Sequence, residues 1–157
     1  INKYILINYF NIFIINIMDF SELKVGKNIV MKESICRIID VALSAPGKHG
    51  HAKKKVTGVN LFNGSKYVEI FTHHSHITEA TLIRNEYQGI MVEDDNYVVY
   101  MDENGEEKQD LLLTQEQADE VAKYDEFIIC VTRASYIDDD ETIHNFEKIE
   151  NIKENKE

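Results

Sequence analysis

Short apolar runs separated by turn signals cover most of this chain. Residues 35–43 and 56–62 are apolar runs of strand length, and Asn63-Gly64 is a hairpin turn that leads into residues 66–71. Short strands at this spacing are typical of a small β-barrel. The pattern predicts a β unit over residues 19–83.

A second set of strands follows. Residues 87–92, 97–101 and 108–113 have strand-like patterns joined by turns, and residues 127–132 form a further apolar run. Strands, one interposed helix and a closing strand suit a five-stranded barrel of the OB type. We assign this second unit to residues 84–137.

The interposed helix has its own start signal. Thr114 and Gln117 have the spacing of a capping box, in which each side chain bonds to the backbone N–H of the other residue. We expect a short helix from this point to about Lys123.

Residues 138–157 are acidic and polar. Phe146, Ile149 and Ile152 are spaced at three, which would suit a frayed helix. The charge and the terminal position favour a disordered tail instead.

Residues 1–17 are a low-complexity stretch of isoleucine, asparagine and aromatic residues. The stretch is short for a membrane span and has neither a strongly basic start nor a cleavage site of signal-peptide type. Our hypothesis is that Met18 is the natural first residue and that residues 1–18 form a non-native or disordered leader. An anchor or signal segment is the alternative.

Charge is unevenly distributed. The net charge is −11, but residues 19–83 carry nine basic and six acidic side chains, whereas residues 84–157 carry seven and twenty-two. Residues 41–66 contain five lysines and no acid. A basic face in an acidic protein suits a polyanionic partner, although a solvated lysine run is the simpler alternative.

Two cysteines, Cys36 and Cys130, lie in separate apolar runs. Their positions indicate a reduced cytosolic protein rather than a disulfide framework.

A glycine-rich segment with one proline lies between the first two apolar runs. Pro46 biases the preceding residue towards extended backbone, so the strand should leave the sheet there. Gly47 and Gly50 bracket Lys48 and allow backbone angles that a β-carbon would disfavour. We expect a β-hairpin whose tip carries the Lys48 amine clear of the surface.

The octapeptide of residues 46–53, Pro-Gly-Lys-His-Gly-His-Ala-Lys, resembles the hypusine loop of the eukaryotic translation initiation factor 5A family. The similarity covers roughly residues 20–132. Further matching segments are Leu23–Gly26, Ile35–Asp40, Gly58–Tyr67 and Met101–Glu106.

The resemblance implies a mainly β fold, with an N-terminal Src-homology-3-like barrel followed by an OB-fold barrel that has one short helix. It also implies a translation factor, not an enzyme, in which Lys48 is modified to hypusine. The factor would bind the ribosome beside peptidyl-tRNA and promote peptide-bond formation at stalled sites, and also termination. The residues implied in loop recognition and RNA contact are Pro46, Gly47, His49, Gly50, His51, Ala52, Lys53, Lys54 and Lys55.

The same resemblance implies the partners. Deoxyhypusine synthase and deoxyhypusine hydroxylase would build hypusine from spermidine, with no cofactor bound to the chain itself. The location would be cytoplasmic, without a membrane contact, and a homodimer is permitted.

Two other functions compete with this one. The basic loop could bind RNA phosphates without modification, as a general two-barrel RNA-binding module. His49 and His51, together with residues 73–76, could supply zinc or nickel ligands of a metal-dependent enzyme. No catalytic carboxylate lies at a matched spacing, so we expect no metal site and exposed or hydrogen-bonded histidines.

Overall fold

The computed structural model of the chain describes residues 4–8, 11–44, 47 and 50–156, with side chains from residue 17 onward. The chain divides into two compact units. The first comprises residues 1–81 and 134–146, and the second comprises residues 82–133 and 147–157. The sequence placed the boundary after residue 83 and assigned residues 84–137 to the second unit. In the structure the second unit begins at residue 82, residues 134–146 belong to the first unit, and residues 147–157 belong to the second.

An antiparallel sheet forms the first unit. The strand order is β1-β2-β7-β3-β4-β5-β6, and a 3₁₀ helix (Phe20–Glu22) lies between β2 and β3. The strands are β1 (Tyr4–Asn8), β2 (Asn11–Ile17), β3 (Asn28–Met31), β4 (Ser34–Ser44), β5 (Lys53–Asn60), β6 (Lys66–Thr72) and β7 (Thr78–Glu79).

Apolar side chains on one face of this sheet make the first core. Ile29, Met31, Cys36 and Val56 are completely buried there. Alternating positions of a strand point to opposite faces, and most neighbours of these residues are at least partly exposed, whereas Ile35, next to Cys36, is also buried. Burial of each large apolar side chain contributes about 1.5–3 kcal/mol.

The structure corrects the expectation of a disordered leader. Residues 4–8 and 11–17 form β1 and β2, and β2 pairs with β7 through Ile17 and Thr78. Met18 is buried, and its N–H donates to the carbonyl oxygen of Ile77 at 2.8 Å. Isoleucine and aromatic residues favour strands, which explains why a low-complexity run pairs here. That Met18 is the natural first residue stays a prediction.

Five strands and one short helix form the second unit among the described residues. The strand order is β10-β9-β8-β11-β12, with the first strand of the unit at the centre of the sheet. The elements are β8 (Leu82–Val92), β9 (Tyr97–Met101), β10 (Glu107–Leu112), α1 (Gln115–Val121), β11 (Phe127–Ile137) and β12 (Ile143–Glu154). The end of β11 and the start of β12 lie within residues 134–146 and are counted with the first unit.

The predicted capping box is confirmed. Thr114 Oγ1 accepts a hydrogen bond from the Gln117 N–H at 3.2 Å, and Gln117 Oε1 accepts one from the Thr114 N–H at 3.0 Å. The helix ends at Val121, two residues before the predicted end.

A glycine fixes the packing of the second core. A β-carbon at Gly89 would overlap the ring of Phe127, so only glycine leaves room for that ring. The residues around it, buried together, are Tyr87, Val98, Tyr100, Leu111, Leu113, Val121, Ile129, Val131, Ile149 and Ile152.

The predicted disordered tail is wrong. Residues 143–154 form β12, which lies beside β11. Ile149 and Ile152 enter the second core with 7% and 4% exposure. Their burial stabilises the strand, while most of the charged residues between and around them stay exposed.

No helix in the described part of the chain is long and apolar enough to cross a membrane.

Candidate functional site: the loop between β4 and β5

A long hairpin carries the glycine-rich segment. β4 and β5 pair in antiparallel register, and Ser44 opposite Lys53 is the last pair before the loop. Further down, Val41 lies opposite Val56, which is fully buried, so the hairpin is anchored in the first core. The loop of residues 45–52 therefore begins where the ladder ends, as the sequence predicted.

The described part of the loop contains a tight turn. The Gly50 N–H donates to the Gly47 carbonyl oxygen at 3.0 Å, a bond that spans two intervening residues as in a β-turn. Those two positions are Lys48 and His49, which lie outside the described residues, as does Pro46.

The surroundings of this turn are open. Gly47, Gly50 and His51 are exposed, and a β-carbon added at Gly47 would meet no atom within 4 Å. Ala52, by contrast, packs against the first core. The loop is thus held at its base and open at the glycines.

The three consecutive lysines point to different faces of β5. Lys53 and Lys55 are exposed, whereas Lys54 is partly buried on the opposite face. Its ammonium donates to the carbonyl oxygens of Phe20, Ser21 and Leu23 at 2.7, 3.3 and 3.1 Å.

These contacts give Lys54 a structural role, and its expected RNA contact stays a prediction. An ammonium has three donors, and all three have backbone acceptors at the 3₁₀ helix. The ammonium also lies 4.8 Å from the centroid of the Phe20 ring. Lys54 therefore joins the base of the hairpin to the 3₁₀ helix, and Lys53 and Lys55 remain as exposed cations of this run.

The histidines near the loop make aromatic contacts. The His51 and His74 rings are 6.3 Å apart with edge-to-face geometry, and the His73 ring lies 4.1 Å from Phe20. No group of three or more histidine, cysteine or acidic side chains suited to a metal occurs among the residues that the structure describes. His49 lies outside them.

The sequence did not single out the exposed apolar side chains beside the lysines. Ile70 on β6 lies directly opposite Lys55 on β5 and is 60% exposed. Leu43, at the end of β4, is 64% exposed. The sequence did contain a signal for Leu43. Because successive side chains of a strand point to opposite faces, the mainly apolar run of residues 35–43 places apolar side chains on both faces of β4.

The Cys36 thiol, which lies opposite Asn60 near the start of β4, is not a nucleophile. Cys36 is fully buried, and burial, together with the charge of Glu69, raises its pKa to about 11. A thiol reacts as the thiolate, so this cysteine is inert at neutral pH.

The fold and the loop together define a class of protein: two β units, the first carrying a basic hairpin loop. Two family models match the chain in the same order. "Translation initiation factor 5A-like, N-terminal" matches residues 15–76, and "Eukaryotic elongation factor 5A hypusine, DNA-binding OB fold" matches residues 82–127.

Individual relatives agree with these matches. Eukaryotic translation initiation factor 5A of Dictyostelium discoideum is 38% identical over 96 residues, which are 61% of this chain and 60% of the relative. The Spodoptera exigua protein of the same name is 34% identical over 94 residues, 60% of this chain and 59% of the relative. The matched part is thus about three fifths of the length of these curated relatives.

A solved structure extends the similarity to nearly a whole relative. A translation initiation factor eIF-5A family protein from Naegleria fowleri is 31% identical, with a TM-score of 0.70 over 88% of this chain and 98% of that one. The Methanococcus jannaschii factor, 22% identical with a TM-score of 0.58 over 84% of this chain and 92% of that one, shares the fold. The chain belongs to the translation initiation factor 5A family, and the predicted family and two-barrel fold class are confirmed.

Proposed function

We propose that this chain is a translation factor that acts on the ribosome when Lys48 carries hypusine. The observation that carries the proposal is the open turn between Gly47 and Gly50 at the tip of an anchored hairpin, in a chain of this family. Glycine on both sides of Lys48 would leave room for a modifying enzyme to reach the lysine amine.

The proposed modification extends a side chain that is already long. Deoxyhypusine synthase would transfer the aminobutyl group of spermidine to the Lys48 Nζ, and a hydroxylase would add the hydroxyl group. Hypusine has more reach, one more amine and more hydrogen-bond donors than lysine. Such a group suits a cleft lined by phosphates and 2′-hydroxyls.

The lysines on the two faces of β5 would have different roles. Lys53 and Lys55 are exposed next to the loop and would contact RNA phosphates. Lys54 would keep the hairpin fixed on the 3₁₀ helix through its three carbonyl contacts. A fixed base lets the tip place hypusine beside peptidyl-tRNA, where positioning assists a reaction that the ribosome itself catalyses.

Charge suggests which part of the chain faces RNA. Residues 19–83, which include the loop, have a net charge of +3, from nine basic and six acidic side chains, whereas residues 84–157 have −15, from seven and twenty-two. Phosphates would be attracted to the first of these two stretches and repelled by the second. We place this activity in the cytoplasm.

The variant Lys48→Arg tests the proposal. Arginine keeps the positive charge but cannot be converted to hypusine. We expect loss of activity in a translation assay on a message encoding a run of prolines, whereas the matched variant Lys55→Arg should keep it. Full activity of Lys48→Arg would instead favour the unmodified RNA-binding module.

A further inference from the structure

The second unit has a cleft on its surface. It has a volume of about 760 Å³ and is lined by side chains from β8, β11 and β12. Cavities of about 300–1,000 Å³ are the usual size for small-molecule sites. Residues that line it and enter the argument below are Arg84, Glu86, Cys130, Thr132, Glu150, Asn151 and Lys153.

Glu86 and Lys153 form an ion pair with each other in the cleft. The Lys153 ammonium lies 2.8 Å from both carboxylate oxygens of Glu86. The Cys130 thiol also lies near this carboxylate, with Sγ 3.7 Å from Oε1. Hydrogen bonding to Lys153 lowers the pKa of Glu86, which keeps the pair charged. This part of the cleft has no net charge to offer a ligand.

The other cation that lines the cleft is Arg84. It is exposed on β8 and makes no ion pair with any carboxylate in the described part of the chain. The other rim carboxylate, Glu150, has the Lys148 ammonium at 3.7 Å. A guanidinium presents a planar fork of donors that matches the oxygens of phosphate or carboxylate.

Thr132, which lines the cleft, has a buried hydroxyl group. This residue is 2% exposed, and its hydroxyl has no hydrogen-bond partner among the residues described. A buried hydroxyl without a partner is unfavourable, so a ligand oxygen that bonded to it would gain from the contact. Asn151, on β12, adds an amide donor to the same cleft.

The three groups come from three adjacent strands. Arg84 lies on β8, Thr132 on β11 and Asn151 on β12, and all three line one cleft. A tetrahedral phosphate has acceptor oxygens in several directions, so it fits donors from three strands better than a planar carboxylate does. The remaining volume exceeds that of phosphate and leaves room for a group of nucleoside size.

We propose that this cleft binds a small phosphate ester of mononucleotide size, with its phosphate against Arg84. The site is independent of the modification of Lys48. It therefore stands or falls separately from the function proposed above.

The test is an NMR titration of the full chain, following backbone amide shifts, with inorganic phosphate, 5′-AMP, adenosine and L-aspartate as probes. We expect saturable shifts at residues 84, 132 and 151 with 5′-AMP, with a dissociation constant of about 1 mM or tighter. Inorganic phosphate should shift the same signals more weakly, and adenosine should not shift them.

Variants complete the test. Arg84→Gln should weaken 5′-AMP binding by about tenfold, and the near-isosteric Thr132→Val by about threefold. Arg37→Gln, an exposed arginine of the first unit, is the matched control and should leave the affinity unchanged. Equal binding of adenosine, stronger binding of L-aspartate, an unchanged affinity in Arg84→Gln, or no saturation at about 10 mM 5′-AMP would each overturn the proposal.

Discussion

The ammonium of Lys54 lies 2.7 Å from the carbonyl oxygen of Phe20. With Ser21 and Leu23 as further acceptors, this lysine ties the hairpin that carries the loop to the 3₁₀ helix. Its neighbours Lys53 and Lys55 are exposed. One lysine of the run therefore has a structural role that its charge alone did not reveal.

The first prediction concerns stability. Lys54→Met should lower the free energy of unfolding by about 1.5–3 kcal/mol, because three carbonyl oxygens lose a charged donor. Chemical denaturation of the purified protein measures this change. The matched control Lys55→Met alters an exposed side chain and should stay within about 0.5 kcal/mol of the parent protein. Equal effects of the two substitutions would contradict the structural role of Lys54.

The second prediction concerns the core of the second unit. Gly89→Ala should destabilise the protein by about 1–3 kcal/mol or more, because its β-carbon would overlap the Phe127 ring. Combining it with Phe127→Leu should cost less than the two single changes together, since the smaller side chain removes the overlap. Thermal unfolding of the four proteins gives the coupling, and strict additivity would show that the two positions are not in contact.

The third prediction concerns the two thiols. Burial raises the pKa of Cys36 to about 11, and burial and the nearby Glu86 carboxylate raise the pKa of Cys130. Both should react slowly with iodoacetamide at pH 8, and partly exposed Cys130 should react before Cys36. Mass spectrometry of samples taken at successive times shows the order in which the two cysteines are labelled. Faster labelling of Cys36 in the native protein would contradict its burial.

The fourth prediction concerns acid stability. A hydrogen bond from His144 at 2.7 Å, with backbone N–H donors, lowers the pKa of Asp138 below its ordinary value of 3.8. A carboxylate with a lowered pKa stabilises the fold above its unfolded-state pKa, and this contribution is lost as the pH falls through the folded-state pKa.

Asp138→Asn should therefore lower the melting temperature at pH 7 and make less difference below about pH 3.8. Asp139→Asn, at an exposed neighbouring position, is the control and should have little effect at either pH. A difference between Asp138→Asn and the parent that did not change with pH would count against the charged contact.

Local signals in the sequence predicted much of the fold. Asn63-Gly64 and the pair Thr114 and Gln117 fix local geometry through their own side chains and backbone angles, and Gly64 has a φ of 76°, which favours glycine. The loop of residues 45–52 was equally readable because glycine and proline mark the end of a ladder.

The strands in the terminal segments could not be predicted from local sequence signals. Ile149 and Ile152 become buried only because β11 and the second core are beside them, and no local pattern shows that partner. The role of Lys54 was hidden for the same reason, since its acceptors lie more than thirty residues away in the chain. Long-range packing decided both cases.

The central claim is that Lys48 is the modified residue of this factor. Tandem mass spectrometry of the peptide that contains Lys48, from protein purified from its native host, tests it most directly. We predict an added aminohydroxybutyl group on Lys48, and none on Lys53 or Lys55. An unmodified Lys48 in abundant native protein would contradict the claim.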